Sequence, residues 1–176
     1  MELLTKKTPF IFFSITPEEE YKMSVRPVSL ENVRIGFRNF EGREGPYNKS
    51  GERSFAVFLD RQTADEMAAD GWNIKFPKTL SERLGDPDEE DTRDPYLNVS
   101  VGFDFYPANV FLISNGNPTK LTEQEVAMLD WAEIENVDLV LRPYEWSVNR
   151  NSGIKAYLKS GYFTIVSDPF AAKYGI

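Results

Sequence analysis

The chain has 176 residues, 28 Asp and Glu against 20 Lys and Arg, a net charge of −8, and neither Cys nor His. That composition excludes disulfides, thiol nucleophiles, Cys/His zinc sites and Ser-His-Asp chemistry, and it removes the usual general base near neutral pH. The length suits one domain with a real core, and 14% aromatic residues exceed what such a core uses, so some rings are expected on a working surface.

Residues 1–27 read as an N-terminal arm. Its apolar run Pro9–Phe13 is too short for a membrane span and leads into Thr16-Pro17-Glu18-Glu19-Glu20 without a small-residue cleavage site. It therefore fits a packed arm or edge strand rather than a signal peptide. Two roles stay open for it: self-association into a homodimer, or cover for a sheet edge.

Val28–Glu41 predicts a long strand, with Val33, Ile35 and Phe37 alternating against Arg34, Gly36 and Arg38. Gly42–Gly51 holds three Gly and one Pro and reads as a loop. Arg53–Asp60 predicts the returning strand. Together they make a hairpin whose long basic tip carries Tyr47, and tips of that length are functional or mobile. Thr63–Gly71 predicts a short helix, with Thr63 and Glu66 as a capping box and Gly71 as its terminator. Trp72–Phe76 suits another short strand, and 79–94 an exposed acidic linker.

Pro95–Phe105 predicts a third long strand. Leu97, Val99, Val101, Phe103 and Phe105 share one face; Tyr96, Asn98 and Ser100 share the other. Ala108–Ser114 follows as a strand, then a turn at Asn115-Gly116-Asn117-Pro118. Thr122–Ile134 predicts a second helix, capped by Thr122 and Glu125, with Val126, Leu129 and Trp131 as apolar contacts. Val137–Val148, a turn at Asn149–Gly153 and Ile154–Val166 complete the domain, residues 28–166, before a short tail, 167–176. The order is mainly β: a five-stranded antiparallel Greek-key barrel with extra strands and hairpins and two short helices.

Charge is segregated along this chain. Asp86–Asp94 has six acids and one base, and Leu121–Asp138 six acids and no base. Arg34–Arg53 has five bases against three acids, and Arg142–Lys159 four against one. A local positive surface is therefore compatible with an acidic whole. Alternation places Arg34, Arg38 and Phe40 on one outer face, Tyr96 with Asn98 on a second strand, Arg142, Tyr144 and Trp146 on a third, and Lys155, Tyr157 and Lys159 on a fourth. Arg43, Tyr47, Lys49 and Arg53 belong to the loop and its exit, which can close over a ligand, with Tyr47 as a mobile stacking group. Rings that stack on unpaired bases, interleaved with cations that track phosphates, suit single-stranded nucleic acid bound without base reading. By contrast, Phe37, Phe58, Phe103 and Phe105 are expected in the core, and Trp72 and Trp131 packed under helices.

Two rivals compete with this reading. A metal-dependent nuclease would use carboxylates such as Asp60, Asp104, Asp130 and Glu133. A structural or protein-binding β-domain would use the same aromatic face as a protein interface. No acid-rich signature with Lys stands out, so no cofactor, metal or catalytic residue is expected.

The segments Asn39–Asn48 with Arg53–Asp60, Asp130–Asp138 with Arg142-Pro143-Tyr144-Glu145-Trp146, and Ile154–Lys159 resemble bacteriophage single-stranded DNA-binding proteins with an OB-fold. The resemblance spans roughly residues 28–166. It implies an OB barrel that coats single-stranded DNA in the cytoplasm of the infected bacterial host during phage replication, recombination or repair, with phage replication or recombination proteins as partners. Such proteins often end in an acidic tail. This chain ends with one acid and one base after Ser167, and the internal run Asp86–Asp94 offers either a substitute or a plain solvated loop.

Overall fold

The computed structural model describes residues 10–12, 26–77 and 93–166; the acidic run 86–92 and the tail 167–176 lie outside the described residues. Among the described residues there are ten strands, β1 (Phe10–Phe12), β2 (Val28–Leu30), β3 (Arg34–Asn39), β4 (Arg53–Phe58), β5 (Ile74–Lys75), β6 (Tyr96–Val101), β7 (Asn109–Ser114), β8 (Asn117–Leu121), β9 (Ile134–Val148) and β10 (Asn151–Ile165), together with one α-helix, α1 (Arg61–Ala69), and a 3-10 turn, Val126–Asp130.

The ladder runs β1-β2-β9-β10-β6-β4-β3, with β5 on β6 and the β7–β8 hairpin on β10. The mainly β expectation holds, and within it the expected five-stranded antiparallel Greek-key barrel gives way to an open, mixed sheet. β10 runs antiparallel to β9 but parallel to both β6 and β7. The ladder does not close between its end strands. Instead one continuous segment serves both sides: β2 pairs with β9, and β3, three residues on, pairs with β4. The Val33 amide bridges the interval by donating to the Val137 carbonyl at 3.0 Å. β1 adds antiparallel to the outer edge of β2.

Inside the curled sheet, alternation behaves as expected on β6 and β10. Leu97, Val99 and Val101, and Ile154, Ala156 and Leu158, are all buried. Three rings centre the core: Phe40 stacks on Phe55 at 5.1 Å, and Phe163 meets both edge-on at 5.6 and 6.1 Å. Trp72 is buried as expected.

β3 departs from its alternation. Gly36 faces Ala56 and Asn39 faces Ser54, so three steps on β3 match two on β4 and one residue is extra. Phe37 sits at this bulge with φ of 47° and is 71% exposed, not in the core. Arg38 turns inward, and Phe40, expected on the outer face, is fully buried. Phe105, also expected in the core, is 93% exposed, because β6 ends at Val101 and residues 102–108 form a loop.

The helices also differ. α1 begins at Arg61, two residues before the expected start, and its cap is Asp60, whose carboxylate accepts from the Thr63 amide at 2.9 Å and hydroxyl at 2.7 Å. The second helix is absent. Residues 117–121 form β8, and the capping-box bond from the Thr122 amide to Glu125 Oε1, 2.9 Å, leads only into the 3-10 turn. Trp131 follows that turn and is 77% exposed rather than packed.

Candidate nucleic-acid interface

The outer face of β4, β6 and β10, roofed by the loop between β3 and β4, encloses a groove of about 860 Å³. Directly opposed residues share a face. In this way Ser54 is set opposite Ser100, Phe58 opposite Tyr96, Tyr157 beside Ser100, Lys155 opposite Tyr144, and Tyr157 opposite Arg142. The floor is therefore Tyr96, Asn98 and Ser100 from β6, Arg53 and Ser54 from β4, and Lys155 and Tyr157 from β10; Tyr47, Asn48 and Phe37 form the loop-side wall.

Two smaller clefts continue the groove. One, of about 390 Å³, shares Gly102 and Tyr157 with it and adds Phe105, Tyr106, Arg142 and Tyr144. Here the Arg142 guanidinium lies 4.7 Å from the Tyr106 ring and 5.0 Å from the Tyr157 ring, Lys155 Nζ lies 5.0 Å from Tyr157, and Tyr144 meets Tyr157 edge-on at 5.9 Å. The other, of about 420 Å³, shares Phe37 and Tyr96 and adds Arg34, Phe58 and Arg93.

The loop 40–52 is braced, not slack. Asn39 Oδ1 accepts from the Gly42 and Arg43 amides, and Asn48 Nδ2 donates to the Arg43, Lys49 and Glu52 carbonyls. Gly42 and Gly51 both have φ near +80 to +90°. A Cβ on Gly42 would come within 3.0 Å of the Gly51 Cα, so the loop's neck closes only with glycine there. The side chain of Asp130, 1% exposed, accepts from the Phe40 and Glu41 amides at 2.7 and 3.0 Å and so ties the neck to the 3-10 turn. Tyr47, fully exposed, is presented from this frame.

Several cations are already partnered. Arg34 pairs with Asp94, Arg53 with Glu123 at 3.2 Å, and Arg43 with Glu41 at 3.5 Å and Asp130 at 3.8 Å. Arg53 Nε is buried with no hydrogen-bond partner. Arg38 donates to the Leu129 and Ala132 carbonyls at 2.9 and 2.8 Å.

Of the residues expected at the site, Tyr47, Arg53, Tyr96, Lys155 and Tyr157 line the groove, and Arg34, Arg142 and Tyr144 the adjoining clefts. Phe40 is core, and Arg38 braces the 3-10 turn. Arg43 lies over the Trp131 ring at 5.6 Å, outside the groove lining. Trp146 is half-buried opposite Gly153, and Lys49 and Lys159 are exposed beyond the groove's lining. Sequence reasoning missed Phe37, Phe105 and Tyr106. Gly36 before Phe37 is a bulge signal, and Gly102 with Pro107 marks a loop.

The carboxylates of the nuclease reading do not converge. Asp60 caps α1 and Asp130 caps the loop neck. Among the described residues no group of three or more His, Cys, Asp or Glu could hold a metal, and no helix is long and apolar enough to cross a membrane. Burial tends to raise the Asp60 pKa, but the Thr63 amide and hydroxyl outweigh it and the net shift is downward.

No curated protein matches this chain. Among solved structures, the single-stranded DNA-binding protein from bacteriophage Enc34 in complex with ssDNA aligns with a TM-score of 0.51 at 14% identity, over 82% of this chain and 89% of that one, which shows a common fold. The single-stranded DNA-binding protein gp2.5 of bacteriophage T7 aligns with a TM-score of 0.40 at 11% identity, over 81% and 87%. The model of the family described as "Putative phage ssDNA-binding domain" matches residues 18–176, most of the chain, and the chain belongs to that family.

Proposed function

We propose that the groove over β4, β6 and β10 holds single-stranded DNA with little base preference, and that the protein coats and protects it passively. The observation that carries this is the shared wall of Arg142, Tyr144, Lys155 and Tyr157, rings and cations interleaved on one face above a buried Ile154, Ala156 and Leu158. Rings stack on any base, at about 1–3 kcal/mol each, and cations release counterions from any phosphate, so neither reads sequence. Membership in the phage family supports the ligand, and so does the Enc34 protein of like fold, solved with ssDNA. In this reading no bond is made or broken. The protein acts in the host cytoplasm during phage DNA replication, recombination or repair, alongside phage replication proteins.

A gel shift with labelled oligothymidine at two salt concentrations tests it. Binding that weakens steeply with salt, with mixed-sequence strands bound equally well, is expected. Tyr144→Ala and Tyr157→Ala should each lose about 1–3 kcal/mol on every sequence. No binding at low salt, or salt-independent binding, overturns the proposal and favours a protein interface.

A further inference from the structure

Four non-glycine residues among those described have left-handed φ: Asn32, Asn115, Asn149 and Phe37. Asparagine tolerates that region through its short polar side chain, whereas a bulky ring there is a true outlier. Burial does not compensate Phe37, which is 71% exposed. Its ring instead stands beside Tyr96 at 5.6 Å and Phe58 at 6.0 Å. Gly36 makes room for this, since a Cβ there would come within 2.6 Å of the Phe58 ring. Strained residues persist where the surrounding structure holds them, and they gather at ligand sites. Phe37 lines both the 860 Å³ groove and the 420 Å³ cleft, and so stands at the passage between them. Beyond it Arg34 lies over the Phe58 ring at 5.1 Å and pairs with Asp94, with both side chains about half exposed or more. An exposed pair of that kind exchanges readily for another anion.

We infer that this cleft is a second nucleotide-binding compartment. The bulge holds Phe37 outward to stack a base at its entrance, and Arg34 takes the adjoining phosphate in exchange for Asp94. The inference rests on the groove being the DNA site. It separates from a structural role for Phe37 because strain and function pull in opposite directions. Phe37→Asn relieves the left-handed strain while removing the ring. Its thermal midpoint should match or exceed that of the wild type, while its Kd for an oligothymidine long enough to fill groove and cleft should rise roughly 5- to 150-fold, the factor one stacked base supplies. Phe37→Trp should bind as the wild type does, Asp94→Asn should bind tighter, and Arg34→Ala weaker. Normal wild-type binding with an unchanged Kd for Phe37→Asn overturns this inference alone. So does a loss of affinity in Phe37→Asn accompanied by a lowered midpoint. A wild-type chain that binds no oligothymidine overturns the groove reading, and this compartment with it.

Discussion

One inserted residue in β3 decides the roles of three side chains. Without the bulge, strict alternation would have sent Phe37 inward and Arg38 and Phe40 outward. With it, Phe37 faces the groove, Phe40 joins the Phe55–Phe163 cluster, and Arg38 reaches the Leu129 and Ala132 carbonyls. The consequence is a separation of stability from binding. Arg38→Ala leaves two carbonyls without their charged donor and should cost about 1–3 kcal/mol in a denaturant melt, with the oligothymidine Kd unchanged at fixed salt. A Kd shift equal to that of Lys155→Ala would put Arg38 back among the phosphate contacts. Over Leu97–Val101 of β6 and Ile154–Leu158 of β10, where register is unbroken, period-two reasoning assigned the buried face correctly. On β3 it failed because alternation presumes a fixed register, and the one local sign of the bulge, Gly36, marks that a shift can occur there without saying which later side chains it turns.

The two capping boxes show what a local signal can and cannot specify at the scale of an element. Thr122–Glu125 forms its bond as expected, and that bond lowers the Glu125 pKa, yet it closes a turn rather than starting an α-helix. The chain is needed by Ile134 for β9, which pairs with Ile165. A capping bond nucleates a turn; length and packing decide whether a helix follows. At α1 the cap is Asp60, one turn earlier than the Thr63 signal. Asp60→Ala should destabilise by about 1 kcal/mol at neutral pH. Because the folded pKa is depressed, the cap's contribution is full above the unfolded value near 3.9 and fades as pH falls through the lower folded value. Melts of wild type and Asp60→Ala should therefore differ at pH 7 and converge as the pH falls through the lowered folded value. A difference that is constant with pH would assign the effect to packing instead. Strand direction was equally illegible: the alternation within β10 is the same whether its neighbours run parallel or antiparallel, so the parallel pairing to β6 and β7 left no mark in the sequence.

For the whole molecule, a chain of net charge −8 must bind a polyanion against its own long-range field, so local arrangement governs affinity. The segregation of charge was legible in the sequence. The pairing of acidic with basic segments across the fold was not. Glu123, from the acid-rich 121–138 run, holds Arg53 in the groove floor, and Asp94 holds Arg34. In the proposed binding mode phosphates compete with carboxylates for these arginines, and a phosphate that bound either one would displace a carboxylate of the protein as well as counterions. The salt dependence should be shallower than the number of groove cations implies, because single strands give a slope near −0.7 only for each phosphate neutralised in net terms. Removing the internal competitor tests this. Glu123→Gln frees a guanidinium whose Nε already lacks a partner. It should tighten oligothymidine binding at low salt and steepen the slope of log K against log salt by up to about 0.7. Arg53→Ala should weaken binding and flatten the slope, and in an Arg53→Ala background Glu123→Gln should add nothing. If Glu123→Gln tightens binding to the same degree without Arg53, its carboxylate acts through the general field and not by occupying the groove's cation.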